Sequence, residues 1–153
     1  MVLSAPSAYK ALLAAAPPPW LRHWLFEYDP RFATFGEAFI QYDFNAPLAF
    51  PPALAGTADI LIMDPPFLNA DTLGGFATTA ASLRASAEAR VLLCTGAIML
   101  APARALLGVR PVRAEVCHAN RLSNPFRLFV SYEDEGRLGG VDVEAEEAEA
   151  RGG

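Results

Sequence analysis

Asp64-Pro65-Pro66-Phe67 follows directly on a short apolar run, Ala58 to Met63, and puts a carboxylate, a donor-free stretch of backbone and an aromatic ring into four residues. Two consecutive prolines restrict φ and disfavour an immediate helix start, so the chain leaves the run along a rigid path. Pro65 has no N–H, and its carbonyl together with the Asp64 carboxylate offers two acceptors for the hydrogens of one –NH2 group. Phe67 supplies a flat surface for a base, an amide or a cation. An amine held in this way keeps its lone pair free and directed, which in-line methyl displacement from a sulfonium requires. A lysine acceptor must also be neutral, and burial beside a sulfonium lowers its pKa. Asp64 opposes that shift, so its role is orientation first and proton acceptance second. The alternative reading of the same four residues is a tight turn with no chemistry.

Two further acids, Asp29 and Asp43, close apolar runs of their own. The remaining reactive side chains read as packing. His23 falls inside an expected strand, His118 has no acid at a triad spacing, and Cys94 and Cys117 sit in apolar stretches as small core residues. The two cysteines are separated by 22 residues, which is neither a disulfide framework nor a zinc spacing, and no metal site is expected.

Short β-branched or aromatic runs alternate with alanine- and leucine-rich ones, the pattern of an α/β chain with a parallel sheet. Val2-Leu3 ends a first strand and Tyr9 to Ala16 forms a helix stopped by Pro17-Pro18-Pro19. Trp20 to Tyr28 and Glu37 to Tyr42 read as the second and third strands, and Ala58 to Met63 as a strand buried on both faces. Asn69 or Asp71 caps a helix expected to reach about Glu88, weakened near its start by Gly74-Gly75. Val91 to Cys94 is a strand, and Ile98 to Leu107 a helix with Gly108 as C-cap. Val112 to His118 and Phe126 to Tyr132 form a closing hairpin. In such a sheet ligands bind beyond the carboxyl ends of the strands, where Asp29, Asp43 and Asp64 all fall.

The chain has 153 residues, 53% of them hydrophobic, enough for one core and one domain. Its net charge of −5 is unevenly distributed: residues 133–153 hold eight acids against two arginines, so residues 1–132 are nearly neutral. That balance speaks against a nucleic-acid partner held by bulk electrostatics. The acidic segment, 133–153, is expected to be a disordered tail behind a domain spanning 1–132. No apolar stretch approaches the roughly 20 residues of a membrane span, and no basic region opens a signal peptide. A cytoplasmic location is expected.

Five motifs, in order, carry a resemblance: Phe26-Glu27-Tyr28-Asp29-Pro30-Arg31-Phe32, Tyr42-Asp43-Phe44-Asn45, Asp59-Ile60 through Asp64-Pro65-Pro66-Phe67, Leu93-Cys94-Thr95-Gly96-Ala97-Ile98-Met99 and Asn124-Pro125-Phe126-Arg127. Across Val2 to Tyr132 the chain resembles the eukaryotic elongation factor 1-alpha lysine methyltransferases, long labelled N6-adenine-specific DNA methyltransferases. The resemblance implies a class I, Rossmann-like fold with a mostly parallel seven-stranded sheet, S-adenosylmethionine as donor, and a lysine of elongation factor 1-alpha as acceptor. It implies roles as well. Ser4, Ala5 and Pro6 stand in place of a glycine-rich loop beside the methionine carboxylate, and Asp29, with Glu27 as second candidate, faces the ribose. Asp43 and Phe44 meet the adenine. Asp64, Pro65, Pro66 and Phe67 form the catalytic motif, and Asn124 and Phe126 a substrate wall. Family members carry a region ahead of the first strand, against which this chain is short. The competing readings are adenine methylation of nucleic acid and a truncated, non-catalytic domain.

Overall fold

The computed structural model describes residues 1–116, 125–134 and 136–152. Seven strands form one sheet in the order β3-β2-β1-β4-β5-β7-β6. They are β1 (Val2–Leu3), β2 (Leu25–Glu27), β3 (Phe39–Gln41), β4 (Ile60–Met63), β5 (Arg90–Gly96), β6 (Arg110–Glu115) and β7 (Phe126–Val130). The first five pair in parallel and β7 runs antiparallel to both β5 and β6, so the expected closing hairpin is present. The helices are α1 (Pro6–Ala14), α2 (Ala70–Leu83), α3 (Leu100–Leu107) and α4 (Val143–Gly152).

Side-chain alternation divides the core between the two faces of the sheet. Leu3, Phe26, Leu61, Met63, Val91, Leu93 and Phe129 lie beneath α2 and α3, against Phe76, Leu83, Ala103 and Leu107. On the other face Val2 and Leu25 pack with Tyr9 of α1 and with Phe32 and Phe35. No helix among the described residues is long and apolar enough to cross a membrane.

Several elements differ from expectation, each for a local reason. The second strand is Leu25–Glu27 and not Trp20 to Tyr28, because a parallel ladder is only as long as its neighbours, and β1 offers two residues. Trp20 is 79% exposed and His23 precedes the strand. The third strand shrinks to Phe39–Gln41, since Pro30–Ala38 winds into 3-10 turns kinked at Gly36, where φ is +63°. Helix α2 stops at Leu83, five residues short of Glu88, because Arg84 leaves helical geometry and bridges Ala58 as a short parallel extension of the sheet. Its start matches: the Asn69 side chain accepts from Thr72 N–H at 2.8 Å. Gly108 ends α3 in the left-handed conformation, as its type suggested.

The acidic segment, expected to lack structure, contains α4, and residues 138–142 run along the edge of β6. Glu146 binds Arg104 at 2.5 Å and Arg110 at 2.9 Å, and Asp142 pairs with Arg127. Asp142, Glu146 and Glu149, three of the eight acids that suggested a solvated tail, are thus paired with arginines earlier in the chain.

Candidate active site

The turn from β1 into α1 passes through Ser4, whose φ of +51° is a conformation that glycine adopts without strain. Ser4 N–H donates to the Phe26 carbonyl at 2.8 Å, which holds the turn against β2. Pro6 opens the helix and, among the described residues, no side chain caps it, so its N-terminus stands at the carboxyl edge of the sheet with its N–H groups uncapped by those side chains. Ala5 is buried beneath this turn, whereas Ser4 and Pro6 line a cavity of about 540 Å³.

The opposite wall of that cavity comes from the ends of β2 and β3. Glu27, Tyr28 and Asp29 line it from β2, and Tyr42, Asp43, Phe44 and Asn45 from the segment after β3. The two acids of the first group are differently engaged. Asp29 accepts from Arg31 N–H at 2.9 Å and from Arg31 Nε at 2.8 Å, capping the 3-10 segment, and this guanidinium holds its carboxyl below the ordinary carboxylate range. Glu27 has no such cation among the described residues; its Oε1 accepts from the backbone N–H groups of Tyr28 and Asp29 at 2.8 and 3.1 Å. Those bonds fix the carboxylate at the strand end.

The segment after β3 is held from below. Tyr42 is buried, its hydroxyl 2.8 Å from Thr79 Oγ1 on α2, and burial pushes its pKa to about 12. Asp43 Oδ1 accepts from Asn45 N–H at 2.8 Å and Asn45 Nδ2 at 2.9 Å, closing a tight turn. Phe44 lies over Phe76 and meets Phe67 edge-to-face, with centroids 6.1 Å apart. Its backbone rests on Gly75, where a side chain would collide with the Phe44 carbonyl.

Asp64 extends β4 by one bond, its N–H donating to the Leu3 carbonyl at 3.1 Å. The residue is half-buried, Pro65 is buried, and Pro66 and Phe67 are exposed and complete the cavity rim. Cys94 lies on the neighbouring strand, and burial together with the Asp64 charge raises its thiol to about 12, far from a nucleophilic thiolate at neutral pH. Phe126 stands opposite Gly96 where β7 begins. Asn124, His118 and Cys117 lie outside the described residues. His23 is not in the cavity; its Nδ1 is 2.9 Å from the Tyr9 hydroxyl.

Of the residues singled out from sequence, Ser4, Pro6, Glu27, Asp29, Asp43, Phe44, Pro66 and Phe67 therefore share one cavity, whereas Ala5, Asp64, Pro65 and Phe126 are not among its lining residues. Tyr28, Phe32, Tyr42 and Asn45 also line it and had been given no role. All four lie inside the quoted motifs, but their direction depends on the 3-10 segment and on the Asp43 turn, neither of which has a strong pattern.

A sheet ordered 3-2-1-4-5-7-6 with an antiparallel seventh strand, and a cavity beyond the carboxyl ends of β1 to β4, defines a class I methyltransferase fold. Residues 1–134 match the family described as "Probable N6-adenine methyltransferase", and the chain belongs to that family. It is 40% identical over 132 residues to EEF1A lysine methyltransferase 1 of Homo sapiens, covering 86% of this chain and 60% of the human protein. The protein of that name from Danio rerio is 39% identical, covering 86% of this chain and 79% of its own length. Protein-lysine N-methyltransferase M142.8 of Caenorhabditis elegans is 41% identical over 112 residues, covering 71% of this chain and 50% of its own. The chain thus spans about three fifths of the length of the human relative.

Proposed function

We propose that this chain is an S-adenosylmethionine-dependent protein-lysine N-methyltransferase acting on elongation factor 1-alpha in the cytoplasm. The observation that supports the reading is that Pro66 and Phe67, the second half of Asp64-Pro65-Pro66-Phe67, line the same cavity as Ser4, Glu27, Asp43 and Phe44. The fit rests on chemistry. An uncapped helix N-terminus favours a carboxylate, Glu27 offers acceptor oxygens at the end of β2 for ribose hydroxyls, and Phe44 offers a ring face for a base with Asp43 as acceptor for its amino group. Relatives named for methylating a lysine of EEF1A suggest the acceptor protein, and Cys94, a free thiol, suits a reducing compartment.

When bound, the sulfonium donor supplies an electrophilic methyl carbon. Pro65 and Asp64 hold the two hydrogens of the neutral amine with carbonyl and carboxylate oxygens, aiming the lone pair along the line of displacement. Phe67 covers the reacting centre and Phe44 braces it from the donor side. The donor would supply the methyl group to that lone pair and keep the electron pair of the methyl–sulfur bond. The nitrogen then gives up a proton, for which Asp64 is the adjacent acceptor before water. Phe126, at the start of β7, would face the acceptor.

The test combines donor titration by calorimetry with methylation of purified elongation factor 1-alpha. The wild-type chain should bind S-adenosylmethionine and methylate a lysine. Asp64→Ala should retain donor binding and lose roughly 100-fold or more in kcat, the scale of removing a group that acts on the reacting atoms. A wild-type chain that binds no donor, or Asp64→Ala with unchanged turnover, would overturn the reading.

A further inference from the structure

Beyond the carboxyl edge the loops after β4 and β5 lie against each other, the first of them also carrying Pro66 and Phe67 of the cavity rim. The loop after β4 is seated by Leu68 on Gly96, where an added Cβ would lie 2.7 Å from Leu68 Cδ1. The loop after β5 is tied to the entrance of β7 by Ala97 N–H donating to the Pro125 carbonyl at 2.8 Å. Within this fixed arrangement Ile98 is 80% exposed and Phe67 54%, while Gly96 and Met99 on either side of Ala97-Ile98 are buried. A single exposed apolar residue is ordinary. Ile98 differs in where it stands.

In-line displacement places the acceptor on the side of the methyl carbon opposite the sulfur. The cavity occupies the ends of β1 to β4, the sheet continues to β5 and β7, and Ile98 stands two residues past the end of β5, on the side left to an acceptor. We infer that Ile98 is an acceptor-recognition residue, contacting with Phe67 an apolar side chain next to the methylated lysine of a protein substrate; this rests on the function proposed above. The loops after β4 and β5 carry no lysine or arginine, and Arg127, in β7, is paired with Asp142, so these two loops offer no cation to a phosphate backbone.

The experiment is steady-state methylation of elongation factor 1-alpha by wild type, Ile98→Asp and Ile98→Leu, with donor affinity measured by calorimetry on each. Ile98→Asp should raise the KM for the protein acceptor by about tenfold or more, leaving kcat and the donor Kd within about twofold, and Ile98→Leu should behave as wild type. Because the side chain is exposed, melting temperatures should be unchanged. An active wild type with an unaltered acceptor KM in Ile98→Asp overturns the inference and leaves the proposed function standing. A wild type that methylates a DNA or RNA oligonucleotide and not the protein overturns both.

Discussion

Glu27 and Asp29 lie two residues apart on the same cavity wall, yet Arg31 takes up only one of them. From sequence Asp29 was the first choice for the ribose, because strand β2 was drawn to Tyr28 and the acid after it became the terminal one. The strand ends at Glu27, and Asp29 instead caps the 3-10 segment with both oxygens engaged by Arg31. A carboxylate already bonded to a guanidinium has less to offer a hydroxyl, whereas Glu27 is oriented by two backbone N–H groups through one oxygen, Oε1. Glu27→Gln should therefore weaken donor binding by about tenfold or more, the loss of a charged hydrogen-bond acceptor, without lowering the melting temperature much. Asp29→Ala should do the reverse, lowering thermal stability through the lost cap while changing donor affinity less. Calorimetry and a melting curve on both variants separate the two roles, and equal affinity losses would show that Asp29 binds the donor as well.

The loop that carries Asp43 and Phe44 has no regular structure of its own, and its position is set by α2. Gly75 lets the helix approach the Phe44 backbone so closely that a methyl group cannot fit, while Gly74 one residue earlier has open space around it. Two apparently equivalent helix-weakening residues thus differ in kind. Gly74→Ala should stabilise the fold by up to about 1 kcal/mol through helix propensity. Gly75→Ala should cost about 1–3 kcal/mol of overpacking, more than that gain, and should weaken donor binding by displacing Phe44. Thermal melts and donor titration on the pair check this. The same contrast marks how far the sequence could be read. Asn69 as a cap and Gly108 as a C-cap rest on bonds to near neighbours, and those were legible, as was Asp64 at the end of the apolar run that becomes β4. The lengths of β2 and β3, the kink at Gly36 and the contact of Gly75 depend on what lies across the fold. No run of adjacent residues records them.

At the scale of the molecule, the segment after β7 is where composition misled most. Asp134 Oδ2 accepts from the N–H groups of Leu138 and Gly140, both at 2.9 Å, and Gly139 and Gly140 take positive φ, so the paired glycines make a turn and not a flexible link. The chain then runs beside β6, with Ala114 N–H donating to Leu138 O and Asp142 N–H to Pro111 O, both at 2.8 Å, covering an edge strand that would otherwise offer open backbone. Four arginine–acid pairs hold it: Arg127 with Asp142, Arg104 and Arg110 with Glu146, and Arg104 with Glu149 at 3.6 Å. Surface pairs of this kind contribute about 0.2–1 kcal/mol each, so the cover belongs to the least stable part of the fold. Arg127 and Arg110 hold the carboxyls of Asp142 and Glu146 below their usual values. A carboxyl depressed in the folded state stabilises above its unfolded pKa, near 4, and that stabilisation is lost as pH falls through the folded value. Hydrogen exchange followed from pH 6 to pH 3, corrected for intrinsic rates, should show protection of Asp142 and Ala114 N–H falling first, while Leu93 and Phe129 in the sheet stay protected. Glu146→Gln should produce part of the same loss at pH 6. Uniform loss across the sheet would mean that the acidic segment is bound into the core and does not lie over it as a separately opening cover.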